Sequence, residues 1–169
     1  MIDSSKPAIS WWELRAIQAL NLEDIEHPDL IVLDKDEQVV LISNIKGFPF
    51  DLNKSKTREK AIIELIEYLK AAKTVIPFAM IVDLEKILFF QWNGNDLSEP
   101  ILCLETNEVL IHYEPEFNKR QIFNLYLKTL TEAWISDFCY HWKMETPPRS
   151  QEIAEIGLLE RLEGGITQS

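Results

Sequence analysis

A chain of 169 residues, 46% apolar and 27% charged, has the size and composition of one folded domain. No run reaches the uncharged apolar length of a membrane span, and Gly and Pro are too few for a collagen-like or disordered chain, so those classes are excluded. Acids outnumber bases 28 to 17, a net charge of −11, which disfavours bulk affinity for phosphate backbones.

Met1 to Ser10 form no basic, apolar ramp ending in small residues, so no secretory signal is visible and a cytoplasmic location is expected. Ser10 then stands as a possible N-cap before Trp12, Ala16, Ala19 and Leu20, whose three- and four-residue steps predict an amphipathic helix over 10–21. Leu30-Ile31-Val32-Leu33 and Val39-Val40-Leu41-Ile42 are β-branched apolar runs separated by the charged stretch Asp34 to Gln38. They predict a hairpin buried on two faces. Gly47 and Pro49 stop the second strand, and a helix follows over about 57–73 with Ile62, Leu65, Ile66, Leu69 and Ala72 on one stripe.

Ile76 to Val82 and Ile87 to Trp92 predict two further strands, the second ending in the turn signal Asn93-Gly94-Asn95. Residues 93–108 are polar and acidic and predict a loop, after which Val109 to Tyr113 reads as a short strand ended by Glu114-Pro115. A long helix is expected over 118–142 from the stripe Phe123, Leu127, Leu130, Trp134, Phe138 and Trp142, before Pro147-Pro148. A last helix over about 150–162 ends at Gly164-Gly165. No repeat or linker divides the chain, so 1–169 is read as a single domain: a core over 10–92, with 93–169 a loop, short strand and helical extension.

The charge is unevenly spread: residues 1–34 sum to −5, 35–73 to +2, 83–116 to −7 and 117–169 to −1. Within the basic segment Lys46, Lys54, Lys56, Arg58 and Lys60 face only Asp51 and Glu59. That excess is either a solvated loop and helix start or a weak, local nucleic-acid contact. The acidic 83–116 stretch offers a surface to a basic protein partner.

Three polar residues at one end of the first hairpin remain to be explained. If the turn centres on Asp36 and Glu37, residues pair when their numbers sum to 73, which sets Asp29 opposite Asn44 and Lys46 two positions on along the same face. An acid, an amide and a lysine converge there, while Ile45 points into the core.

Pro28-Asp29, a hydrophobic hairpin, and Asn44-Ile45-Lys46 after 14 intervening residues resemble the PD-(D/E)xK motif of the restriction-endonuclease-like nucleases. The element order over about 10–92 resembles that family's core, and Trp134 to Pro148 resembles small uncharacterised bacterial members. The resemblance implies an α/β fold, a mixed central sheet flanked by helices with an αβββαβ-type core plus a C-terminal helical extension. It implies a site of Asp29, Asn44 and Lys46 in which Asp29 holds Mg²⁺ or Mn²⁺ and Lys46 positions water or phosphate. It also implies phosphate contacts from Lys54, Lys56, Arg58 and Lys60.

Asn44 stands where the family has its second carboxylate, which removes a full charge from a site built for a hard cation. Glu59, the better placed, or Glu64 on the following helix, or Glu13 on the first, could supply a relocated acid; a solvated helix face is the favoured reading of Glu59 and Glu64, and Glu13 is equally readable as surface. The expectation is therefore a nuclease-like protein with weak or absent metal-dependent phosphodiester hydrolysis, the alternative a non-catalytic interaction module that meets its partner through an acidic surface. His27, just before Pro28-Asp29, reads as a partly exposed edge residue rather than part of that site, His112 and His141 lack partners at metal-ligand spacing, Cys103 and Cys139 form no CxxC pair, and GxSxG and glycine-rich phosphate loops are absent.

Overall fold

Residues 27–50 and 54–169 are described by the structure, a computed structural model. The helix expected over 10–21, and Glu13 with it, lies outside the described residues. Where the chain alternates apolar side chains without a polar face, it forms strands buried on both sides: β1 (Leu30–Leu33) and β2 (Val39–Lys46). The turn between them is closed by Asp34, whose Oδ1 accepts the N–H groups of Asp36 and Gln38. Glu37 takes the left-handed φ of 65° that this turn requires.

β2 leads through α1 (Lys54–Ala71) into β3 (Phe78–Asp83), which runs parallel to β2, and β3 returns antiparallel as β4 (Lys86–Gln91). β5 (Leu102–Glu105) adds to one edge and β6 (Ile166–Gln168) to the other, giving a six-stranded mixed sheet in the order β5-β4-β3-β2-β1-β6. The extension supplies α2 (Thr106–Leu110), a 3₁₀ turn at Phe117–Lys119, α3 (Asn124–Tyr140), α4 (Ser150–Glu155) and α5 (Leu159–Leu162).

The two faces of the sheet build two cores. Ile31, Leu33, Ile42, Ala79, Ile81 and Phe90 meet Ala61, Leu65 and Leu69 of α1. Leu30, Val32, Ile45, Met80, Val82 and Phe89 meet Leu127, Leu130, Trp134, Ile135 and Phe138 of α3, with Ile153 and Leu162 closing the layer. Fully buried Trp134 lies edge-on to Phe89 and Phe138 and donates its indole N–H to the Pro148 carbonyl at 3.0 Å, so the ring fills the core while its polar atom stays satisfied.

Four expectations are corrected. Residues 93–108 are not all loop, because Leu102 to Glu105 pair with β4 as an edge strand. Val109 and Leu110 end a helix rather than open a strand; Thr106 anchors that helix by donating its hydroxyl to the Asp83 carbonyl at 2.8 Å. The long helix is shorter than its stripe: Phe123 is its exposed N-cap, and His141, at φ 49°, ends it before Trp142. The last helix breaks in two at Gly157 (φ 82°), and β6 beyond it is a strand without a β-rich run to announce it.

Candidate functional site

The hairpin register places the candidate residues. Leu30 pairs with Ser43, Ile31 with Ile42 and Val32 with Leu41, the sum-of-73 pairing, before a bulge shifts Leu33 onto Val39. Asp29 thus stands just before β1, at the level of the last residues of β2. There the N–H of Ile45 projects past the end of β1, and the Asp29 carboxylate receives it at 2.7 Å. A side chain has taken the place of a missing strand carbonyl.

The same carboxylate faces two cations. Lys46 Nζ lies 4.0 Å from Oδ2, and Lys128 Nζ, from the second turn of α3, lies 3.4 Å from Oδ1. All three side chains are largely shielded, at 18% to 28% exposure, so the pairing acts across a less screened medium than water. Lys128 was not among the residues singled out from the sequence. Its only sequence signal is a lone base four positions after Asn124, whose amide oxygen accepts the Gly47 N–H at 2.8 Å and so ties α3 to the end of β2.

Asn44 goes the other way. Its side chain, 2% exposed, donates to the Ala61 carbonyl at 3.4 Å and to Glu64 Oε2 at 3.2 Å, both on α1. Glu64 is therefore turned to the hairpin, whereas Glu59 is solvent-exposed. Among the described residues, Asp29 and Asn44 share no hydrogen-bond or ion-pair partner.

The basic segment is partly spent on the fold. Arg58 donates to Asp83 at 2.5 and 3.3 Å and lies 3.7 Å from Glu85, and Asp83 also accepts the N–H groups of Glu85 and Lys86 at 2.8 Å. That pairing raises the Arg58 pKa, through the Asp83 hydrogen bond first. Lys54 opens α1, and Lys56 and Lys60 lie exposed along it. The acidic stretch is similarly engaged. Asp83, Glu85, Glu105, Glu108 and Glu114 pair with Arg58, Lys86, Arg149 and Arg120, bases drawn mainly from other parts of the chain.

A metal of the kind the motif implies needs two or more free anionic oxygens facing one point. Asp29 offers a single carboxylate with both oxygens occupied, Asn44 offers an amide donor aimed at Glu64, and no cluster of three or more His, Cys, Asp or Glu residues suited to a metal ion occurs among the described residues. The residues do not fit the ion. His141 is held by Glu163 and the Met144 carbonyl, and His27 and His112 are exposed residues whose carbonyls accept from Tyr68 and Lys143.

The geometry defines the chain as an α/β protein with a six-stranded mixed sheet packed against helices. A scan of protein-family models, a search of curated proteins and a search of solved structures each return no match to it. Among the described residues no helix is long and apolar enough to cross a membrane.

Proposed function

We propose that the chain is a restriction-endonuclease-like domain that no longer cuts and works as a binding module. The β1-β2 hairpin, the α1 crossover and the β3-β4 pair form the nuclease-like core of this reading, with Asp29, Asn44 and Lys46 at the motif positions.

One observation carries it: the Asp29 carboxylate is filled by the Ile45 N–H, Lys46 and Lys128. Two ammonium groups of the protein itself supply positive charge next to the acid that a catalytic divalent cation would need. With Asn44 in place of a second acid, a cation entering there would have to displace Lys128 and would gain only one carboxylate. The alternative acidic docking surface is less well supported, since most acids of residues 83–116 are neutralised within the fold.

The test is cleavage. Wild type and Lys46→Ala are incubated with single- and double-stranded DNA and RNA in Mn²⁺, the more permissive ion. The expected result is intact substrate with both proteins. Cleavage by wild type that disappears in Lys46→Ala would establish an enzyme and refute the proposal.

A further inference from the structure

Two stretches far apart in the chain are basic, and the fold joins them. Residues 46–60 and 117–128 together hold eight bases and two acids, while the remaining chain holds nine bases and 26 acids. The junction is made by backbone: Phe48 N–H donates to the Ile122 carbonyl at 3.0 Å, and Asn124 N–H donates to the Phe48 carbonyl at 2.8 Å. Four of those bases are paired, Arg58 with Asp83, Arg120 with Glu114, and Lys46 and Lys128 with the single Asp29 carboxylate, so the seam keeps a smaller positive excess within an acidic protein.

Apolar side chains crowd the same seam without being buried by it. Phe50 is 56% exposed, Phe123 55% and Leu125 74%. Phe123 stands edge-on to Phe48 at 5.6 Å between ring centres, and the Phe50 ring has Lys46 Nζ 5.8 Å from its centre. Lys46 and Lys128 share the one Asp29 carboxylate, and exposed Lys119 lies four residues before Phe123 in the chain, at the end of the 3₁₀ turn. Phenyl faces interleaved with ammonium groups match a chain that alternates planar bases with phosphates. In a duplex those base faces are already stacked on one another, so two exposed rings gain nothing from it.

We propose that this seam binds single-stranded nucleic acid, with bases on Phe50 and Phe123 and phosphates near Lys46, Lys128 and Lys119. The proposal names the partner of the binding module above and rests on that reading for Lys46 and Lys128, which are held at Asp29, while the exposed rings and Lys119 stand apart from it. The flanking acids confine the contact to a few nucleotides and make it sensitive to salt.

The experiment is fluorescence anisotropy with three labelled probes: oligothymidylate, the same strand annealed to its complement, and polyglutamate. Wild type is compared with Phe50→Ala, Phe123→Ala and Lys119→Ala, each checked by thermal unfolding; the replaced side chains are exposed, so folding is expected to persist. Wild type is expected to bind oligothymidylate best, each phenylalanine variant to weaken it roughly tenfold or more, and Lys119→Ala to lower the salt dependence by about one counterion. Equal or tighter binding of the duplex, binding of polyglutamate alone, indifference to both phenylalanine changes, or no binding of any probe would each overturn the proposal. Cutting of the bound strand in Mn²⁺ would instead refute the loss of catalysis and leave this surface standing, so the two failures are distinct.

Discussion

At the scale of the residue, Asp29 does three jobs: it completes the hydrogen bonding of β2 through Ile45 and pairs with both Lys46 and Lys128, which together leave one positive charge over. Asp29→Ala would orphan the shielded N–H and leave two half-buried lysines side by side, at a cost of about 2–4 kcal/mol. Urea unfolding measures it. The sign is diagnostic, because in a cluster of acids awaiting a metal the removal of one carboxylate relieves repulsion and stabilises the protein. The pairing of Asp29 with the end of β2 was legible in the sequence, since alternation and a short charged turn fix a hairpin's register. Its partners were not. Lys128 comes from a distant helix, and no local pattern marks a lysine that will cross a sheet's end to meet an acid. Nor does the sequence say that Asn44 turns under α1 to Glu64 while Asp29 turns toward α3.

At the scale of the element, the strands and helices with strong periodicity were legible, and those defined by tertiary contact were not. β5 and β6 are short edge strands whose pairing partner supplies the regularity their own sequence lacks. β6 exists because Gly165 lets the chain pass close to β1: a Cβ there would fall 2.3 Å from the Leu33 carbonyl oxygen and 3.0 Å from that of Leu162. Gly165→Ala is therefore expected to separate β6 from β1 and cost about 1–3 kcal/mol, visible as loss of amide protection at Ile166 to Gln168 with β3 unaffected. The end of α3 has its own pH dependence. The Glu163 carboxylate, and then the Met144 carbonyl, raise the His141 pKa. A raised folded pKa means stabilisation that is complete below the unfolded value and is lost as pH rises through the folded one. Stability measured from mildly acidic to mildly alkaline pH should decline through that window by less than about 1 kcal/mol, the pair being surface-exposed. His141→Asn, which keeps a residue tolerant of the left-handed φ of 49°, should flatten the decline.

At the scale of the whole molecule, two apolar cores, one on each face of the sheet, hold a shell in which several acids meet bases from distant parts of the chain. Net charge and the segmental sums were readable at once, but the pairing of the acidic stretch with bases from elsewhere, and the meeting of two basic segments at Gly47 and Asn124, required the fold. A composition that argues against nucleic acid in bulk is compatible with a local basic seam, because screening limits the reach of the surrounding acids to about 8 Å at physiological salt. The account turns on Asp29 being committed to the protein's own cations, and titration calorimetry with Mn²⁺ tests that most directly. Wild type should give no saturable heat, and Lys128→Ala, which removes one competing ammonium but adds no second carboxylate facing Asp29, should give none either. Saturable Mn²⁺ binding by wild type that is abolished in Asp29→Asn would contradict the account.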